Sequence, residues 1–324
     1  VTHTQQSFEV AADQYRGELF GYCYRMLGSP HDADDAVQET YLGAWRGYDG
    51  FQGRSSLRTW LYRIATRACL QALQRRTRRA LPSGLAGPAA DPTGPLEPHR
   101  PETAWIEPVS DAELDPATIV EARHTIRLAF VAALQHLPGR QRAVLILRDV
   151  LMFRADEVAD LLDTTTTAVN SAVRRARAQL AETAPLGYDL AEPADPLRHA
   201  LLERYTAAFE NADIDQLVQV LTEDAVLEMP PIPTWFRGRD DIAQFLRTRL
   251  PEPGALRLVP TTANGQAAYG LYLRGHGGVH RAHALQLLTI ASAGVARIDM
   301  IHDPTLFPRF GLPSFTPGKD SVDE

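Results

Sequence analysis

Apolar side chains recur at three- and four-residue steps through the first half of the chain, which predicts consecutive amphipathic helices. Phe8, Ala12, Tyr15, Leu19, Tyr22, Cys23 and Met26 give one helix over Phe8–Leu27. A second opens at Ser29, a good N-cap, with Pro30 at the first helical position and Asp32 where a capping box places an acid. In it Ala33, Val37, Tyr41, Ala44 and Tyr48 share the core face. Asp34, Asp35, Gln38 and Glu39 then fall on the outer side as a compact acidic patch.

Past the Gly- and Ser-rich turn at Asp49–Ser56 the sign of charge reverses. Arg54, Arg58, Arg63, Arg67, Arg75, Arg76, Arg78 and Arg79 follow one another with no Asp or Glu between Gly53 and Arg79. Phe51, Trp60 and Tyr62 interleave with them. Such a run favours a polyanion, and flat rings stack on unpaired bases. A charge run by itself also fits a solvated face.

Between Pro82 and Pro116 the periodicity stops. Eight prolines, several glycines and an excess of acids read as a linker. Within it Trp105 and Pro108 are an apolar pair expected to dock on a folded neighbour. Helical patterning resumes over Ala117–Leu137 and Leu137–Val150, followed by a short helix Asp156–Leu162, a polar turn and a basic helix from Ala168. Two helices across a short turn, the second basic, make a helix-turn-helix. Val169, Val173, Ala176 and Leu180 give the second helix its core face. Thr166, Thr167, Asn170, Ser171, Arg174 and Arg175 are left for DNA, hydroxyls and arginines for phosphates, Asn and Arg for base edges.

From Asp195 the pattern is α+β. Helices are predicted at Leu197–Asn211, Ile214–Leu221 and Asp240–Leu250, with strands at Ala225–Met229, Ala255–Thr262, Ala267–Leu273, His280–Ile290 and Val295–His302. The Leu306–Phe315 tail is apolar and punctuated by proline, and is expected to latch onto the helical domains.

Length and charge refine this. The 324 residues allow two or three domains. A net charge of −7 argues against nucleic-acid binding as an average, yet the basic residues are clustered and the acids lie elsewhere. Two cysteines, Cys23 and Cys69, in apolar helical segments make no disulfide framework. Val1–Val10 lacks a signal-peptide core, and no apolar run approaches the length of a membrane span. The expectation is a soluble cytoplasmic protein without a membrane partner, metal or cofactor.

The order Asp-Ala-Asp-Asp-Ala-Val-Gln-Glu-Thr-Tyr-Leu-Gly-Ala-Trp, then Phe-Gln-Gly-Arg-Ser-Ser-Leu-Arg-Thr-Trp-Leu-Tyr-Arg-Ile-Ala-Thr, resembles region 2 of extracytoplasmic-function sigma-70 factors. Leu137-Pro138 with Ala168-Val-Asn-Ser-Ala-Val-Arg-Arg-Ala-Arg resembles region 4. Trp235-Phe-Arg-Gly-Arg-Asp-Asp-Ile-Ala-Gln-Phe-Leu, with its element order, resembles SnoaL-like polyketide-cyclase domains of the nuclear-transport-factor-2 superfamily. The resemblance implies two all-α sigma domains, a region 2 helical bundle and a region 4 helix-turn-helix, plus a C-terminal α+β cone-shaped SnoaL-like domain. Expected boundaries are 1–80 and 117–184 for the sigma domains, 81–116 and 185–196 for linkers, 197–305 for the third domain and 306–324 for the tail.

By that resemblance the protein directs core RNA polymerase to promoters, meeting the β′ clamp helices and the β flap. Asp34, Asp35, Gln38 and Glu39 are assigned to the clamp. Phe51, Gln52, Arg54, Ser55, Arg58, Trp60, Arg63 and Arg67 are assigned to the −10 element, and the helix-turn-helix residues above to −35. In the family the linker threads toward the polymerase active centre and RNA exit path. The third domain is expected to regulate in cis, docking on the sigma domains or taking a small-molecule ligand. Its candidate pocket residues are Glu228, Trp235, His283 and Asp299, set between sheet and helices; His276, His280, His283 and His302 match no common zinc spacing. An Asp-Gly-Gly-Gly-Lys element carried by the best-known extended subgroup is absent.

Two other classes remain open at this point. A ligand-sensing helix-turn-helix regulator would need no clamp contacts, and a DNA-tethered SnoaL-like enzyme would need its pocket carboxylates or imidazoles for turnover.

Overall fold

The computed structural model describes residues 11–53, 55–75, 77–116, 124–183 and 195–316. The chain forms two compact units, one of residues 1–80 and 106–185, the other of residues 81–105 and 186–324. Residues 1–10, Arg54, Arg76 and residues 117–123, all parts of the expectations above, lie outside the described residues.

The first unit is helical. Helix α1 (Arg16–Leu27) ends where Gly28 turns left-handed at φ 72° and returns its N–H to the Tyr24 carbonyl at 2.7 Å. Helix α2 (Pro30–Gly47) opens as its sequence requires, the Ser29 hydroxyl accepting from the Asp32 N–H at 3.3 Å. Helix α3 (Leu57–Arg75) crosses both, with Leu61, Tyr62, Ala65 and Cys69 buried against them. Helices α4 (Leu128–Leu134) and α5 (Gly139–Leu145) follow, α5 running on into a π-helical turn at Ile146–Val150. Helices α6 (Ala155–Leu161) and α7 (Thr166–Thr183) form the helix-turn-helix. Helix α7 starts two residues before the predicted Ala168, because the Thr165 hydroxyl accepts from the Ala168 N–H at 3.2 Å and caps the earlier turn.

The second unit is built on one seven-stranded sheet: β1 (Leu221–Met229), β2 (Ile232–Arg237), β3 (Leu256–Ala263), β4 (Gln266–Arg274), β5 (His280–Ala291), β6 (Gly294–Ile301) and β7 (Phe315–Thr316). The order is β2-β1-β6-β5-β4-β3, with β7 on β5; β1 and β6 run parallel and the other pairs antiparallel. Helices α8 (Asp195–Glu210), α9 (Ile214–Val220) and α10 (Arg239–Arg249) cover one face. Tyr205, Phe209, Leu227, Phe236, Phe245 and Ile298 fill the core between them.

Three expectations change here. The tail does not leave its domain: residues 304–316 pack on the uncovered face of the sheet, with Phe307 fully buried and the Tyr272 hydroxyl donating to the Pro313 carbonyl at 2.9 Å. Gly270 permits this, since a Cβ there would stand 2.7 Å from Leu312 Cδ1. Strand β2 was hidden by Pro230, Pro231 and Pro233, residues that strand interiors exclude but a sheet edge tolerates. The 81–116 linker is not a free connector. Leu81–Trp105 belongs to the sheet unit, while Ile106 onward is strapped to the helices through Ile106 N–H to the Ala80 carbonyl and Glu107 N–H to the Gly28 carbonyl, both 3.0 Å. Pro108 is buried and Trp105 half-buried, so both find the folded neighbour expected of them.

Candidate nucleic-acid and protein interfaces

Helix α2 presents its acids as its period dictates. Asp35, Gln38 and Glu39 are exposed and Asp34 is half-buried. The same stripe continues through Leu42 and Trp45, 48% and 49% exposed, which the sequence reading missed. Their signal was available, because 35, 38, 42 and 45 repeat at helical spacing along one face. Large apolar side chains flanked by carboxylates on a free helix face fit a protein partner.

Helix α3 is less exposed than its charge run implied. Arg58 forks onto the Glu18 carboxylate at 3.0 Å, and its guanidinium lies 4.5 Å from the centre of the Phe153 ring. Arg79 pairs with Glu107 at 2.7 Å and with Asp32 at 3.0 Å. Arg63 donates to the Asp160 carbonyl, and Arg67 reaches the Asp163 carboxylate at 3.3 Å. The run has no acids of its own, but the fold brings them from elsewhere. Arg58 and Arg79 are thereby placed as packing struts, and Arg63 and Arg67 as contacts to the turn after α6.

Phe51, Trp60 and Tyr48 cluster, with ring centres 4.8 Å apart for Phe51–Trp60 and 6.4 Å for Tyr48–Trp60. Phe51 and Trp60 border a cleft of about 700 Å³, whose one wall carries Phe51, Trp60 and Arg63 and whose other carries Glu157, Asp160 and Asp163. Gln52 and Ser55 lie on the first wall as well. An aromatic and cationic wall thus faces an acidic one of the same unit.

On α7 the expected core residues Val169, Val173, Ala176 and Leu180 are buried. Thr166, Thr167, Asn170, Arg174 and Arg175 are exposed and Ser171 half-buried, on one side of the helix. Arg177, at 2.7 Å from Asp149, is held back from that row.

Three of the four candidate pocket residues do not line a space between sheet and helices. Glu228, Trp235 and Asp299 stand in one row across β2, β1 and β6, on the face opposite the helical layer. Arg297 joins them, 2.6 Å from Glu228 and 2.9 Å from Asp299, all three charges fully buried. Burial pushes both carboxyls up against the pull of that guanidinium, and Glu228 is also touched by the Ser83 hydroxyl. His283 lies elsewhere, its ring 5.0 Å from that of His302. Burial lowers His283, and burial with His283 beside it takes His302 down to about 4.

The linker covers that row. Trp235 Nε1 donates to the Ala86 carbonyl at 2.9 Å. Ala89 N–H donates to the Trp235 carbonyl at 2.9 Å, closing the free edge of β2, and Glu97 N–H donates to the Thr234 hydroxyl at 2.8 Å. Arg249 on α10 holds the Gly94 carbonyl at 3.0 Å. Strand edge, indole and helix together fasten an extended segment that has no helical or strand period of its own.

Among the described residues one group has a geometry for a metal, His31, Asp32 and Asp35, with ligand atoms within 4.8 Å of one another. Asp32 there is already committed to Arg79. Among the described residues no helix is long and apolar enough to cross a membrane.

Comparison with known proteins supplies the context for these surfaces. Family models for sigma-70 region 2 match residues 11–79, for sigma-70 region 4 residues 127–180, and for the SnoaL-like domain residues 202–298. The chain is 51% identical over 312 residues to the ECF RNA polymerase sigma factor SigG of Mycobacterium tuberculosis, covering 94% of this chain and 84% of that one. It is 28% identical over 243 residues to SigJ of the same organism, covering 71% and 69%. The crystal structure of that SigJ aligns with a TM-score of 0.65 at 24% identity, over 94% of this chain and 99% of the other, and so shares its fold. With both sigma regions in order and a relative matched almost end to end, the chain belongs to the extracytoplasmic-function sigma factors of RNA polymerase, with a SnoaL-like domain at its C-terminal side.

Proposed function

We propose that this sigma factor is held in a masked state by two intramolecular contacts, and that core polymerase and promoter DNA displace them. In this reading the α2 face, Asp34, Asp35, Gln38 and Glu39 together with Leu42 and Trp45, docks on the β′ clamp helices, and the second helical region meets the β flap. Phe51, Gln52, Ser55, Trp60, Arg63 and Arg67 engage the −10 element once the acidic wall at Glu157, Asp160 and Asp163 swings away. Arg54, assigned to the same promoter element from the sequence, lies outside the described residues. Thr166, Thr167, Asn170, Ser171, Arg174 and Arg175 read −35.

The SnoaL-like domain acts in cis by holding the linker. The observation that carries this is the fastening of residues 86–97 by Trp235, Thr234 and Arg249, because a segment so bound is withheld from any path inside the polymerase. The domain is read as regulatory and not catalytic: Glu228 and Asp299 are each fully buried beside Arg297, and a general acid or base must reach its substrate.

Run-off transcription with core polymerase on a promoter library tests the assignment. Transcripts that depend on Asn170 and Arg174 are expected. Transcripts that persist when both are changed to alanine would remove these residues from −35 reading.

A further inference from the structure

We propose that the sheet's hold on the linker is proton-dependent. Glu228 and Asp299 keep one proton between them opposite Arg297, beneath the turn at Pro82–Gly84, and loss of that proton loosens the turn.

The charges under the turn do not balance. Glu228 and Asp299 are fully buried and Arg297 is 1% exposed. One guanidinium answers two carboxyls, 2.6 Å from Glu228 and 2.9 Å from Asp299. With both acids ionised the set carries a net negative charge away from water, which a low-dielectric interior penalises. Asp299 Oδ2 has no hydrogen-bond partner among the described residues, so the guanidinium leaves part of that carboxyl unsatisfied. One proton removes the surplus charge and gives the pair an O–H donor. Glu228 and Asp299 are register partners across the parallel strands β1 and β6, where two like charges favour a shared proton.

Among the described residues no second cation reaches the set. Arg297 and Asp299 on β6 and the Ser83 hydroxyl of the turn act on Glu228, and Arg297 alone acts on Asp299. Strand β2 presents Trp235 opposite Glu228, and β5 presents Leu287 opposite Asp299 and Thr289 opposite Arg297. Arg237, two residues on from Trp235, is exposed, and His283 and His302 pack on each other. Burial therefore raises both carboxyls in spite of the guanidinium.

The turn covers this set. It packs on β1 and β2, with Pro82 buried and Ser83 against Glu228. Beyond it the linker is fastened at Ala86, Ala89 and Glu97. Lifting the turn admits water, and in water both carboxyls return to the ordinary carboxylate range. The seated form thus binds more protons than the lifted one. Seating is strongest below the ordinary carboxylate range and weakens as pH rises from there through the raised value of the buried acid. The proposal takes from the reading above only the attachment of the linker, not its effect on transcription.

The test is amide hydrogen exchange of the full chain, read as protection factors of the Ala89 and Glu97 N–H groups so that the pH dependence of intrinsic exchange cancels. Protection should fall as pH rises, by up to about tenfold per pH unit, the limit for one proton. Glu228→Gln and Asp299→Asn, each checked for native circular dichroism, leave one carboxyl to one guanidinium and should flatten the profile. His302→Gln should keep the slope, which separates the acids from the imidazoles of the same domain. In the wild type, NMR of the side-chain carboxyls should show at least one of the pair titrating above the ordinary range, a readout that needs no variant. Amides without protection at any pH would overturn the proposal together with the attachment it rests on. Protected amides with a flat wild-type profile would overturn the proton dependence alone. So would a slope that survives both acid variants, a slope lost in His302→Gln, or two carboxyls titrating in the ordinary range.

Discussion

The indole of Trp235 donates its N–H to the backbone carbonyl of Ala86 at 2.9 Å, so an edge strand of the sheet grips a segment 149 residues earlier in the chain. A single hydrogen bond of this kind contributes about 0.5–1.5 kcal/mol. Trp235→Phe keeps the ring and removes the bond. Limited proteolysis of that variant should cut residues 85–97 faster than in the wild type, while the melting temperature changes little. Equal cutting rates would show that the grip resides elsewhere.

Leu42 and Trp45 lie half exposed on α2, so neither contributes much to the fold. Buried aromatic anchors dominate protein interfaces, with losses of about 2 kcal/mol or more on truncation. Trp45→Ala should therefore weaken core polymerase binding by at least about tenfold at unchanged thermal stability. Asp35→Ala should act mainly on the association rate and lose its effect in high salt. Titration of labelled variants into core polymerase measures both.

Asn170 and Arg174 occupy adjacent turns of α7 on its solvent side. Side chains that read base edges discriminate by about 1–3 kcal/mol each. Alanine at either should relax sequence preference within the −35 element, whereas Arg175→Ala, if it meets phosphate, should weaken all promoters alike and lower the salt dependence. Binding assays against single-base promoter variants distinguish the two patterns.

His302 gives a pH dependence of known sign. Its affinity for a proton is depressed to about 4 in the fold, against about 6.5 in an unfolded chain. The unfolded state therefore binds more protons between these values, and the stability is complete above pH 6.5 and lost as pH falls toward 4. The loss is on the order of 3 kcal/mol. Glu228 and Asp299, both raised by burial, act in the opposite sense, so the informative quantity is a difference. His302→Gln should flatten the acid limb of melting temperature against pH relative to wild type. Parallel curves would contradict this.

Much of this was legible in the sequence. Ser29-Pro30 and the Ala33, Val37, Ala44 spacing define α2, and the Val169–Leu180 period separates the buried and the exposed sides of α7. What was not legible depends on distant partners. Nothing near Arg58 announces Glu18, and nothing near Arg79 announces Asp32 and Glu107, so a run that looks free is in fact paired. The linker misled for another reason. Its prolines erase any period, but Ala89 and Glu97 satisfy their backbone N–H groups on β2 and Thr234, an arrangement without a local pattern. Glu228 and Asp299 looked like pocket acids because charged strand residues commonly face a cavity or solvent; the third charge, Arg297, and the covering turn at Pro82–Gly84 place them in the interior instead.

The central claim is that the SnoaL-like domain restrains transcription by retaining the linker. The measurement closest to it is run-off transcription by core polymerase with the full chain, comparing wild type with Thr234→Val/Trp235→Phe, two changes that remove the side-chain bonds to Ala86 and Glu97 without touching the sigma regions. The account predicts more transcript from the double variant at equal core occupancy. Equal or lower output, with proteolysis confirming that the linker has come free, would contradict it.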